Sequence, residues 1–421
     1  MKSGFTYSGG KLHVDGVSVA KLAEEFGTPL YVYSGATLRE NYRRIAKTFA
    51  KANCMVAYSV KSNSNLGVLA LLDDEGAGFD IVSGGELERV RRIGVKGDRI
   101  IFAGVGKTEA EMREALKANV HEFNLESEAE AERLNTIAGA MKKRAAVAIR
   151  MNPNIDAKTH KYITTGKKEN KFGISMARTL ALSKHIVKNL KHLELIGLHC
   201  HVGSQILDST IHPRIVSVFI AFAERVMKET GVQLKNLNFG GGFGVAYTKD
   251  QKQLDLKPFA AAVIPELKRL GARLLLEPGR SISASAGALL TTVEYVKPGD
   301  SRTFAVLDAS MTELIRPTLY EAYHEILPVT KRRGKNVKVD FVGPVCESGD
   351  FLALDRAAQL PAQGDVLAIM DAGAYGFVMA SHYNTRTNPA EVLIDGGKVH
   401  LVRKRETYND LLKHETVPRK K

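Results

Sequence analysis

Val56-Ala57-Tyr58-Ser59-Val60-Lys61-Ser62-Asn63 is an apolar run that ends abruptly in a lysine, with small polar residues after it. A partly desolvated lysine at the mouth of a strand can act as a nucleophile and form a Schiff base with a carbonyl compound. A lone lysine at a strand end is more often a surface residue, so other reactive groups must decide. Gly240, Gly241 and Gly242, followed by Phe243 and Gly244, leave backbone N–H groups unobstructed. Such a stretch suits either a tight turn or a phosphate cradle. Glu277-Pro278-Gly279-Arg280 adds a carboxylate and a guanidinium. Together these groups match the needs of pyridoxal phosphate: an amine for its aldehyde, loops for its phosphate and an acid for its ring nitrogen.

His199-Cys200-His201 admits a second chemistry. Residues i and i+2 of a strand share a face, so the two histidines could bind a metal. No second histidine cluster or acidic pair lies at another strand end, and a coordination sphere takes three or four ligands. We therefore assign no metal and read His201 as an aromatic plate over a cofactor ring, with His199 packed in the barrel. Cys346 sits in the polar loop Gly343-Pro344-Val345-Cys346-Glu347-Ser348-Gly349-Asp350, where a thiol could donate a proton. Tyr375 lies among small residues in Asp371-Ala372-Gly373-Ala374-Tyr375-Gly376, and Arg316, before Pro317 and Tyr320, suits a carboxylate.

The elements that must position these residues follow from periodicity. Between residues 55 and 277, eight apolar runs alternate with helical patterns: 55–60, 79–82, 99–103, 120–125, 145–151, 193–201, 234–239 and 273–277. Ser83 with Glu86, Thr108 with Glu111, and Ser127 with Glu130 have the capping-box spacing that opens a helix. Eightfold strand–helix alternation predicts an α/β fold built on a (β/α)8 barrel, with an open doubly wound sheet as the alternative. Barrel enzymes carry their chemistry at the C-terminal strand ends. There lie Lys61, Ser83, Arg150 with Asn152, His199 with His201, the three glycines, and Glu277 to Arg280. Beyond residue 283 the pattern becomes β-rich, with strands expected at 289–296, 303–307, 337–342, 366–370, 390–394 and 399–402 and a helical stretch near Arg356. Lys11 to Val14 and Val17 to Val19 flank Asp15-Gly16 as a hairpin, and Leu30 to Tyr33 is a further strand. The expected division is 1–33, packing with the C-terminal part; 34–282, the barrel; and 283–421, the β-rich domain.

Composition limits the alternatives. Of 421 residues, 44% are hydrophobic and 25% charged, which supplies ample core. No stretch is long and apolar enough to span a membrane, and Met1 to Gly10 does not resemble a signal peptide. Three scattered cysteines, Cys54, Cys200 and Cys346, argue against disulfides or structural zinc and for a reducing, cytoplasmic compartment. The net charge of +14 is dispersed, and its dense runs are short, as at 331–333, 403–405 and 419–421. We read it as a solvated surface rather than a nucleic-acid site; attraction of anionic small molecules fits as well.

These segments resemble the diaminopimelate decarboxylases, pyridoxal-phosphate enzymes of the alanine-racemase-like fold, from Gly27-Thr28-Pro29 to about Asp395. The matching motifs are Tyr58 to Asn63, His199 to Gln205, Gly240 to Gly244, Glu277 to Arg280, Cys346 to Asp350 and Asp371 to Gly376. Several are shared with ornithine and arginine decarboxylases and specify the cofactor. Asn152-Pro153, Lys158-Thr159-His160, Thr165-Gly166 and Lys171 to Ile174 look like the diaminopimelate branch.

The resemblance implies that Lys61 binds the cofactor covalently and that His201 stacks on its ring. Ser204, Gly240, Gly241, Gly242, Pro278, Gly279 and Arg280 would surround the phosphate side, and Glu277 would meet the pyridine nitrogen. Tyr375 would lie beside cofactor and substrate. Arg280, Arg316, Tyr320 and Glu347 would hold substrate, and Cys346 would return the proton. It further implies a homodimer whose sites are shared, with Cys346 and Glu347 reaching in from the second subunit. The expected reaction is decarboxylation of meso-2,6-diaminopimelate at its D-centre to L-lysine, the last step of lysine biosynthesis. A decarboxylase of another basic amino acid or of a carboxypolyamine, and a non-catalytic barrel protein, are the alternatives.

Overall fold

A computed structural model describes residues 4–155, 171–332 and 334–418. Lys158 to His160, Thr165-Gly166, Arg333 and the basic end 419–421 lie outside the described residues. The chain divides into two compact units, Arg39–Ile282 and Met1–Leu38 with Ser283–Lys421.

Unit Arg39–Ile282 is a closed parallel barrel. Its strands are β1 (Cys54–Ser59), β2 (Gly78–Ile81), β3 (Ile100–Phe102), β4 (Glu122–Leu125), β5 (Ala145–Asn152), β6 (Leu193–Cys200), β7 (Asn236–Asn238) and β8 (Arg273–Leu276). Each pairs in parallel with the next, and β8 returns to β1, so the sheet has no open edge. That excludes the open sheet. Ser83, Thr108 and Ser127 each accept a hydrogen bond from the backbone three residues on, as their spacing predicts. Only Thr108 completes the reciprocal box; Glu86 and Glu130 instead accept from the N–H groups of Val82 and Glu126.

Alternation along the strands fills the barrel in layers. Met55, Ala57, Ile101 and Leu275 form a fully apolar plug. One step further toward the C-terminal end the same alternation brings in polar groups: Ser59, Asp80, Asn124, His199, Asn238 and Glu277 are all buried.

The other unit is a mixed sheet. Leu30–Ser34 pairs antiparallel with Gly287–Pro298 and parallel with Ala390–Asp395, so an N-terminal strand lies inside the C-terminal sheet. Its core includes Leu12, Val14, Leu22, Leu30, Val32, Leu290, Ala368, Val392 and Ile394. The hairpin around Asp15-Gly16 forms, though Val19 begins a helix rather than ending a strand. Near Arg356 the expectation fails: Phe351–Gln359 is a strand, antiparallel to Asn336–Val342. Its alanines favour helix locally, and the cross-strand pairing overrides that weak preference.

Candidate active site

The strand carrying the lysine ends at Ser59, and Lys61 occupies the tight turn Val60–Ser62 that follows. That turn aims Lys61 Nζ at Asp80 Oδ2, 2.6 Å away. Asp80 is fully buried and also accepts from Ser59 Oγ at 2.9 Å. Burial pushes its carboxyl up, against the pull of the Lys61 ammonium. Ser59 stitches the lysine turn to the end of β8: its Oγ lies 2.9 Å from the Glu277 carbonyl as well as from Asp80, so its single proton is shared between the two, and its N–H donates to Pro278 O at 3.0 Å.

Glu277 is anchored from three sides. Its Oε1 accepts from Asn124 Nδ2 at 3.1 Å and Asn238 Nδ2 at 2.7 Å, and Oε2 lies 3.2 Å from His199 Nε2. The histidine contact is close but poorly aligned, so we treat it as electrostatic rather than as a full hydrogen bond. Burial would raise the Glu277 carboxyl; His199 and Lys61 outweigh it and hold it well below the usual range. Burial, together with the charges of Arg150 and Lys61, holds His201 well below its ordinary value, hence neutral. Its Nδ1 accepts from the Gly241 N–H at 3.1 Å.

The glycines are a close approach, not merely a flexible link. Gly240 and Gly242 have φ of 63° and 85°. A Cβ on Gly241 would stand 2.0 Å from the Glu277 carbonyl oxygen, and one on Gly242 2.2 Å from that of Gly203. Gly279 is packed on Ser59 and Ser62, with a Cβ there about 3.0 Å from both Ser62 side-chain atoms. Arg280 closes the group, donating to Tyr247 Oη at 3.0 Å and Ser204 Oγ at 3.2 Å. Lys61, His201, Ser204, Gly240 to Gly242 and Glu277 to Arg280 thus gather at one barrel mouth. A glycine turn with no room for a side chain, a cation beside it, an amine and a low carboxyl fit pyridoxal phosphate. Among the described residues no group of three or more His, Cys, Asp or Glu side chains is placed to hold a metal.

Arg150, noted at the end of β5, forms a buried pair with Glu126 at 2.6 Å, and Glu126 Oε2 also accepts from Gly173 N at 2.6 Å. The pair therefore fastens the segment Lys171 to Ile174 at Gly173. Asp80, Asn124 and Asn238 are the site groups that residue patterns missed. Each is a polar residue at an inward position of a barrel strand, which is the signal that marks them.

In the other unit, Arg316 and Tyr320 begin and end a short helix, and Thr318 between them donates to Gly349 O at 2.6 Å. That bond ties the helix to the cysteine loop. Asp350 braces the loop from within, accepting from Met311 N and Val345 N at 2.7 Å each. Cys346 and Glu347 are left exposed at its tip. Cys200, by contrast, is buried and Cys54 partly so, and burial pushes both thiols up to about 12. Tyr375 is held in a left-handed backbone conformation, φ 55°, in the loop before Phe377.

Residues 35–284 match the family described as "Pyridoxal-dependent decarboxylase, pyridoxal binding domain". The chain is 46% identical over 413 residues to the diaminopimelate decarboxylase of Pseudomonas aeruginosa, covering 98% of this chain and 99% of that protein. It is 44% identical over 403 residues to the Aquifex aeolicus enzyme of the same name, covering 96% and 95%. Among solved structures it is similar to diaminopimelate decarboxylase from M. jannaschii in complex with L-lysine, with a TM-score of 0.93, 36% identity and 99% of each chain covered.

Proposed function

The chain belongs to the diaminopimelate decarboxylases, within the pyridoxal-dependent decarboxylases, and from that premise we propose how its own residues carry the reaction. It is a carboxy-lyase that converts meso-2,6-diaminopimelate to L-lysine and carbon dioxide, the last step of lysine biosynthesis. The observation that carries this reading is the convergence of amine, glycine cradle, guanidinium and low carboxyl at one barrel mouth.

In the proposal, Lys61 is the covalent anchor of pyridoxal 5′-phosphate. Ser204, the turn of Gly240 to Gly242, the turn Pro278-Gly279 and Arg280 would surround the phosphate, although the N–H groups of Gly240 and Gly241 are already donated to Asn238 Oδ1 and His201 Nδ1. His201 lies on the ring face; being neutral, it adds no competing positive charge. Glu277, held anionic, favours a protonated ring nitrogen. Bound there, the cofactor supplies the electron sink into which the carbon–carboxylate bond breaks. Arg280, Arg316, Tyr320, Glu347 and Tyr375 bind and orient substrate, and the Cys346 thiol returns a proton to the α-carbon.

Exposure of Cys346 and Glu347 at a braced loop tip supports their donation to a second subunit, hence a homodimer with shared sites. The working domain division is 1–33 with 283–421, and 34–282 for cofactor binding; the two compact units support it. Three unpaired cysteines support a cytoplasmic setting.

The test is chemical. Borohydride reduction of the holoenzyme, digestion and mass spectrometry should find the pyridoxyl label on Lys61, and Lys61→Ala should lose the visible absorbance of bound cofactor. A label on another lysine would sink the assignment.

A further inference from the structure

His324 is fully buried and has no part in the chemistry assigned so far. Both of its ring nitrogens are engaged. Nδ1 is 2.8 Å from the Met370 carbonyl oxygen, and Nε2 is 2.9 Å from Arg316 Nη1. A carbonyl only accepts and a guanidinium only donates, so the proton must sit on Nδ1 and the lone pair on Nε2 must face the arginine. The partners therefore fix the neutral tautomer.

The backbone around the ring is built to hold that geometry. The short helix from Arg316 closes through Glu321, at φ 51°, with Ala322 N donating back to Arg316 O at 3.3 Å. The chain then turns so that Met370 N donates to Glu325 O at 2.8 Å, and Ile326–Pro328 pairs antiparallel with Val366–Ile369. His324 is thus pinned to the end of a strand while it reaches back to the head of the helix. A neutral acceptor sets the direction of a guanidinium without cancelling its charge, as a carboxylate in the same place would.

We propose that His324 is a positioning residue of the substrate site, orienting the Arg316 guanidinium toward the carboxylate that substrate and product both retain. The inference rests on the substrate-binding role proposed for Arg316. It does not make His324 a catalytic residue, since its contact is with the arginine.

Ligand pairs separate orientation from folding. L-Lysine carries the retained carboxylate; 1,5-diaminopentane has the same carbon chain and both amines but lacks it. Binding of each to folded holoenzyme would be measured by calorimetry, with steady-state kinetics alongside. His324→Asn keeps an amide near Nδ1 but offers nothing at the reach of Nε2. It should weaken L-lysine and raise KM by roughly tenfold or more, the order expected for a hydrogen bond to a charged group. Binding of 1,5-diaminopentane and kcat should stay near wild type. His324→Gln, long enough to present an oxygen to Arg316, should recover most of the loss. Arg316→Ala tests the underlying reading: unchanged L-lysine binding would overturn the role of Arg316 and the inference with it. If Arg316→Ala weakens L-lysine selectively while His324→Asn affects neither ligand, or both equally, the role of Arg316 stands and the positioning role falls.

Discussion

The Lys61–Asp80 contact sets the state of the amine proposed to anchor the cofactor. A buried carboxylate 2.6 Å away favours the ammonium form, whereas reaction with an aldehyde needs the neutral amine. Asp80→Asn removes that preference and keeps a group able to bond Ser59. The rate of cofactor incorporation into cofactor-free protein, trapped with borohydride, should then reach half its maximum at a lower pH than in wild type. An unchanged midpoint would show that Asp80 does not govern Lys61. Lys61 itself was legible from its place after an apolar run, and Glu277 and Arg280 from their place at the last strand. Asp80 was not, although Phe79-Asp80-Ile81 puts an acid in the middle of a strand. Alternation reveals that such a residue faces inward; only the parallel register of β1 and β2, which sets Asp80 opposite Ser59, reveals which amine it meets.

At the scale of elements, the turn after β7 matters because of what it touches. Gly241 lies where a Cβ would be 2.0 Å from backbone of the β8 end, an atom that cannot rotate away. Gly241→Ala must therefore displace one of the two loops that form the cradle. Pyridoxal phosphate affinity, followed by fluorescence or absorbance titration, should drop by about tenfold or more, the scale of ~1.4 kcal/mol. Gly106, where a Cβ would meet nothing within 4 Å, is the control, and Gly106→Ala should change stability by no more than about 0.5 kcal/mol. Equal effects of the two substitutions would remove the special role of the turn. The barrel strands were legible because each is a compact apolar run next to a helical pattern, with Ser83, Thr108 and Ser127 each capping one such helix. The strand at Phe351–Gln359 was not: Ala353, Ala357 and Ala358 carry little β preference of their own, and a distant strand, Asn336–Val342, decides. The glycine triplet was visible in the sequence, but the reason for it, contact with two neighbouring loops, depends on three strand ends meeting.

For the whole molecule, the polar barrel interior couples stability to pH. Burial lifts the carboxyl of Glu122 from 4.5 to about 7, only partly offset by its hydrogen bond from Asn236. A carboxyl raised in the folded state contributes stability below its unfolded value and loses it as pH rises through the folded one, here between about 4.5 and 7. That lift corresponds to ~3 kcal/mol above neutrality. Glu122→Gln should flatten the fall in unfolding free energy between pH 5 and 8 in denaturant titrations; parallel curves for both proteins would refute the coupling. Assembly is the other global property, and the proposed dimer has its support in the resemblance and in an exposed loop tip rather than in any pattern in the chain. If Cys346 and Glu347 serve a partner's barrel, then Lys61→Ala and Cys346→Ala impair different halves of every site. Co-expressed, the two chains form mixed dimers about half the time, and each mixed dimer holds one site with both defects and one with neither. Turnover should recover to about a quarter of wild type, well above either variant alone. Sites built from a single chain would show no such gain, because every site would then carry its own chain's defect whatever its partner.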